Sequence, residues 1–137
     1  MKLRDFDFRV WDEGIKGYVK NQAIAIIDNR VLAGSMHIGQ IGEFEFMSEN
    51  YDDEIEIELF TGLYDKNGKK AYENDIVKAK NPFNYLEAKI SIHKEGTFYL
   101  ENKSGHYIGS LIYLVEDEGY TIEIIGNIHE NPELLKC

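Results

Sequence analysis

Turn-forming residues cut this chain into short runs, and that punctuation constrains the fold more than any other feature of the sequence. Asp28-Asn29 separates Ala23–Ile27 from Arg30–Ala33 and suits a two-residue hairpin, because Asp and Asn tolerate positive φ. Asp65-Lys66-Asn67-Gly68 is the strongest turn, with Gly68 where a left-handed backbone costs least. Glu95-Gly96 divides Leu86–Lys94 from Thr97–Glu101, and Glu118-Gly119 divides Ser110–Val115 from Tyr120–Ile125. Runs this short exclude long helices and predict many short strands in a small barrel or sandwich.

The residues between the turns agree. Ile, Val, Thr and the aromatics total 42, against 19 for Ala, Leu and Met; β-branched and aromatic side chains pack well on a pleated surface. Glu54-Ile55-Glu56-Ile57-Glu58-Leu59 alternates strictly, which predicts a strand with acids outward and aliphatics inward. Phe6–Trp11 alternates too, with Phe6, Phe8 and Val10 on one face, and so does Glu43-Phe44-Glu45-Phe46. Ser104–Gly109 reads as a loop. Asn131-Pro132-Glu133 reads as a cap followed by Pro in the first turn of a short helix.

With 137 residues, the chain is of single-domain size. The lone cysteine, Cys137, allows no intrachain disulfide. The longest aliphatic run, Ala23–Ile27, is far short of a membrane span, and Met1–Asp7 has no signal-peptide core. A protein of the cytoplasm, away from membranes, is expected.

The net charge of −10 argues against a general nucleic-acid binder, which needs clustered Lys and Arg to displace counterions from phosphates. No direct nucleic-acid binding is expected. The charge is polarised: Glu43–Glu58 holds eight acids and no base, whereas Phe60–Lys103 has eight lysines against six acids. The acidic stretch ends where the Phe60 block begins. This divides one compact fold into an N-terminal β region, residues 1–59, and a C-terminal region, residues 60–137. The acids read either as a solvated face or as a docking face for a basic protein or for the lysine-bearing part of a second copy. The candidate interaction surface is Glu54, Glu56 and Glu58 with Lys66, Lys69 and Lys70.

Three blocks carry a family resemblance: Phe8-Arg9-Val10-Trp11-Asp12; Phe60-Thr61-Gly62-Leu63-Tyr64-Asp65-Lys66-Asn67-Gly68 continuing through Asn74-Asp75-Ile76-Val77; and Ile124-Ile125-Gly126-Asn127-Ile128-His129-Glu130-Asn131-Pro132-Glu133-Leu134-Leu135. In this order, over nearly the whole chain, they resemble the YopX family of phage and prophage proteins. Asn74 stands where that family usually has Gly, and Asn is the next best residue for a left-handed turn. The resemblance implies a mostly β fold with a C-terminal SH3-type barrel, a phage or prophage origin and self-association. It implies no activity and no cofactor.

Read physically, the blocks specify fold. Gly62, Asp65, Asn67, Gly68, Asn74, Asp75, Gly126 and Pro132 are turn and bulge residues at fixed offsets. Tyr72–Asp75 forms a second turn delivering Ile76–Lys80 as an alternating strand. Within the barrel, Ile76, Ile90, Ile92, Phe98, Leu100, Ile112, Leu114, Ile122 and Ile124 are expected inward.

Motifs for chemistry fail on spacing. Five residues separate Gly62 from Gly68, one too many for a phosphate loop, and Lys69 is followed by Lys70 rather than a hydroxyl. Counted from Asp65, a calcium loop would need Gly sixth and Glu twelfth; Gly68 is fourth and Ile76 twelfth. His37, His93, His106 and His129 have no ligand spacing. Asp52-Asp53-Glu54 lacks a second carboxylate segment, and the serines sit in no nucleophile elbow. Glu73 and Asp75 could be paired carboxylates, but Asp commonly bonds its own backbone in a turn. The expectation is a non-catalytic protein-interaction or self-assembling module without catalytic, metal or cofactor residues. The alternatives are an acidic nucleic-acid mimic that occupies a host DNA-binding protein, and a nucleic-acid-related factor with a site formed across subunits.

Overall fold

The computed structural model describes residues 1–36, 44–46 and 55–136. It is mainly antiparallel β, and the chain divides into two compact units, Asp7–Leu59, and Phe60–Cys137 with Met1–Phe6.

In the first unit, β1 (Phe8–Asp12) pairs with β2 (Gly17–Tyr18) and with the first half of β6 (Ile55–Tyr64). A second sheet holds β3 (Gln22–Ile27), β4 (Arg30–Met36) and β5 (Phe44–Phe46) in that order. The Asp28-Asn29 hairpin forms as expected: both residues have positive φ, 50° and 62°, and Ile27 pairs with Arg30 across it. Two expectations are corrected. Phe6 lies outside the strand, after a 3₁₀ turn at Leu3–Asp5, and the adjacent residues Val10 and Trp11 are both buried, so both faces of β1 are covered. Glu58 does not point to solvent. It is fully buried, directly opposite Arg9, because a strand paired within the unit presents its polar positions to neighbouring side chains.

In the second unit, the second half of β6 pairs with β7 (Lys70–Tyr72) around the Asp65–Gly68 turn. The meander β8 (Asp75–Lys80), β9 (Tyr85–Ile92), β10 (Phe98–Glu101) and β11 (Tyr107–Ser110) follows, and β12 (Thr121–Asn127) returns to pair with β8. The order is β11-β10-β9-β8-β12, curled as a half-barrel; the expected barrel is met to that extent. Val77, Ala79, Ala88, Ile90, Leu100 and Ile122 form the core with Ala71, Leu111 and Leu114.

Ser110–Val115 was expected as a strand and is not one. Ser110 ends β11, and Leu111–Glu116 is a helix, α1, whose first turn is capped by the Ser110 hydroxyl accepting from the Tyr113 amide at 3.4 Å. Leu111 and Leu114 are three apart, so a helix buries both, and Ile112 between them is 52% exposed rather than inward. Tyr107 also begins β11 inside the expected loop. The other inward positions are buried or half-buried, but Ile76 lies outside the core cluster: it shares a face with Lys78, opposite Val77 and Ala79.

Candidate functional site

The family-signature residues are built into turns. Asp65 is buried; one carboxylate oxygen accepts from the Asn67 and Lys69 amides at 2.9 Å each, the other from Ile124 at 3.1 Å on β12. Burial alone would raise its pKa, but these three amides and the Lys69 charge outweigh it and hold the carboxyl below its ordinary value. Gly68 follows with φ 82° and Gly62 has φ 86°. Asp75, also buried, accepts from the Tyr72 amide at 2.9 Å. Asn74 has φ 70°; its amide donates to Ile90 and its carbonyl accepts from Ile128.

Gly126 sits at a register shift in the β8–β12 ladder and also meets a close neighbour: a Cβ there would lie 2.5 Å from Asn131 Oδ1. That oxygen accepts from the Asn127 amide at 3.2 Å. So Asn131 does not cap the 3₁₀ turn Pro132–Leu135 through its side chain, as the sequence suggested; it braces the strand behind it, and Pro132 takes the first-turn position. Asn127, buried, was not singled out from sequence. Its Oδ1 accepts from His129 and Glu130, and its Nδ2 donates to Glu130 Oε1.

The candidate interaction surface is not one patch. Glu54 lies outside the described residues. Glu56 is exposed, whereas Glu58 accepts from Arg9 Nε at 2.6 Å and from the Tyr18 hydroxyl at 2.9 Å, with the Arg9 guanidinium 4.7 Å from the Tyr18 ring centre. Lys70 lies over the Phe60 ring, Lys69 is exposed, and Lys66 is bound to Glu123 at 2.6 Å.

Of the described members of that surface, Lys66 alone lines a groove of about 360 Å³ over β8, β9 and β12 in the second unit. Lys78 and Lys80 project into it from β8, with Tyr85 on one side and Thr121 and Glu123 on the other. Register explains the convergence. Lys80 lies between Tyr85 and Thr121, and Lys78 between Glu87 and Glu123. The Glu87 carboxylate accepts from the Tyr85 hydroxyl at 3.0 Å; this bond, then burial, then the Glu87 charge push the phenol up, while Lys78 pulls it the other way. The same sheet face carries Lys89 and Ser91 on Glu101, both at 3.0 Å, and a ring cluster in which His93 stacks on Tyr99 at 4.1 Å beside Tyr107. The groove joins residues from four segments, and sequence order gave no signal for it beyond the excess of lysine.

Comparison with known proteins follows the fold. The YopX protein family matches residues 7–136. Protein EF1440 from Enterococcus faecalis has a crystal structure similar to this chain at TM-score 0.62 and 29% identity, covering 96% of this chain and 98% of that one. Protein yopX from Bacillus subtilis is similar at TM-score 0.65 and 18% identity, covering 94% and 97%. No curated protein matches the sequence.

Proposed function

This chain belongs to the YopX family, and we propose that it is a non-catalytic, self-assembling module whose copies pair through the open edge of β3. One observation carries the reading: among the described residues β3 ends its sheet, and beside that edge Ile26, Ile27 and Val31 are 74%, 51% and 61% exposed. An uncovered apolar edge strand is a template for another strand.

A second copy is the fitting occupant. Gln22-Ala23-Ile24-Ala25-Ile26-Ile27 carries no charge, so two copies can run antiparallel about a two-fold axis without facing like charges. The acidic strand β6, with Glu56 exposed, could not do this. The side chains of Asp65, Asp75 and Asn127 in the family blocks accept from backbone amides that shape turns, which supports a non-catalytic role. A phage or prophage origin goes with this reading on the strength of the resemblance. The acidic-decoy alternative has less support, because Glu58 is buried against Arg9.

Light scattering at physiological salt and about 100 µM protein tests it. The wild type should return twice the chain mass and Ile26→Lys one chain mass with an unchanged melting temperature, since Ile26 is exposed. A wild-type protein of one chain mass, or an Ile26→Lys/Val31→Lys protein that keeps the larger mass, would refute it.

A further inference from the structure

We propose that the groove over β8, β9 and β12 binds a nucleoside phosphate, with Lys78 and Lys80 on the phosphate and the Tyr85 ring against the base. The groove is in the volume range of small-molecule sites, about 300–1,000 Å³, and larger than a bare phosphate needs. Its walls combine two chemistries. Three lysines meet two carboxylates: Lys66 bonds Glu123, and Lys78 lies between Glu123 and Glu87, which leaves one positive charge in excess. Lys80 has an aromatic ring and a hydroxyl as its cross-strand neighbours, not an acid. Tyr85 is 56% exposed, so its ring is open to a second flat ring.

The spacing suits one nucleotide. Tyr85 and Thr121 flank Lys80 from adjacent strands, so they are roughly 10 Å apart, and Lys78 and Lys80 are roughly 7 Å apart along β8. A phosphate held over β8 leaves its sugar and base toward Tyr85, with the Thr121 hydroxyl on the far side of the phosphate. The net charge of −10 opposes the broad counterion-release mode of binding. It does not decide a single concave site, because at physiological salt charges beyond about 8 Å are largely screened.

The shared chemistry has two sources, a free mononucleotide and one unit of a single strand. A strand could continue over the same sheet face to Lys89 and the His93–Tyr99–Tyr107 rings, a second stacking platform.

Calorimetric titration of the full chain with AMP, a 15-residue oligo-dT and inorganic phosphate tests the proposal and separates the sources. AMP binding at least as tight as oligo-dT indicates the free nucleotide. Oligo-dT at least about tenfold tighter, weakening with salt, indicates the strand. In either case Lys78→Glu/Lys80→Glu should lower affinity at least about tenfold, Tyr85→Ala at least about fivefold, and Tyr85→Phe should largely restore it. Lys20→Glu, an exposed change in the other unit, should have no effect. The proposal is overturned by wild-type protein that binds neither AMP nor oligo-dT below about 1 mM. It is also overturned if phosphate alone binds as tightly as AMP, or if the double lysine variant, folded by its melting temperature, binds like wild type.

Discussion

Replacing Asp65 with Asn should cost about 2–3 kcal/mol at neutral pH, and the structure says where the loss falls. The carboxylate accepts three backbone N–H groups, two on one oxygen and one on the other. An amide of the same shape has one accepting oxygen. Turned to keep Asn67 and Lys69, it sets its NH₂ against the Ile124 amide, an unmade buried bond worth about 1–3 kcal/mol; the two retained bonds also lose their charge assistance. For a chain of this length that is roughly 6–12 °C in melting temperature. The pH dependence gives an independent check. The folded pKa lies below the ordinary 3.8, so the unfolded chain takes the proton first as pH falls. The carboxylate's contribution is complete above about pH 4 and is lost below it, as pH falls through the folded value. Urea titrations of both proteins between pH 7 and pH 3 should therefore show a gap that is constant near neutrality and narrows below about pH 4. A neutral-pH gap under about 0.5 kcal/mol, or one that widens in acid, would refute the reasoning.

Gly126→Ala should cost about 1–3 kcal/mol by denaturant titration, because its Cβ would displace the Asn131 side chain and unmake its bond to the Asn127 amide; the cost should shrink in an Asn131→Ala background. At position 74, where φ is 70°, Asn74→Gly should leave the melting temperature within about 2 °C, while Asn74→Val should lower it by more than about 4 °C. Arg9→Met should destabilise by about 2–4 kcal/mol in the same titration, since Glu58 loses its cation in a buried setting, and Arg9→Met/Glu58→Gln should recover part of that loss.

Legibility in the sequence followed the range of the interactions. The Asp28-Asn29, Asp65–Gly68 and Glu95-Gly96 turns are local conformational demands, and Asn29, Gly68 and Gly96 all have positive φ where the residue types required it. Gly126 was readable as a bulge or a close approach and is both, although Asn131 as its neighbour was not. Leu111–Glu116 was misread because Leu-Ile-Tyr-Leu-Val is apolar throughout; in under two turns, only the Ser110 cap separates helix from strand. Glu58 was misread because alternation puts it on one face with the exposed Glu56 but does not show that Arg9 and Tyr18 cover that face at position 58. The groove stayed hidden for a third reason. Lys66, Lys78, Tyr85 and Thr121 become neighbours only through strand register, and register is set by pairing that residue order does not display.

The return of β12 to β8 also sets a schedule for folding. The meander from β8 to β11 needs only neighbouring hairpins and can assemble early, as local contacts generally do. Until residues 121–128 arrive, β8 has a bare edge, the Asp65 carboxylate lacks its Ile124 donor and the Asn74 carbonyl lacks Ile128. Closing the half-barrel is then a late, long-range event spanning 59 residues between Asp65 and Ile124. Weakening β12 should speed unfolding more than it slows folding. During synthesis the vulnerable species is a nearly finished sheet whose inner strand can still be claimed by a neighbouring chain.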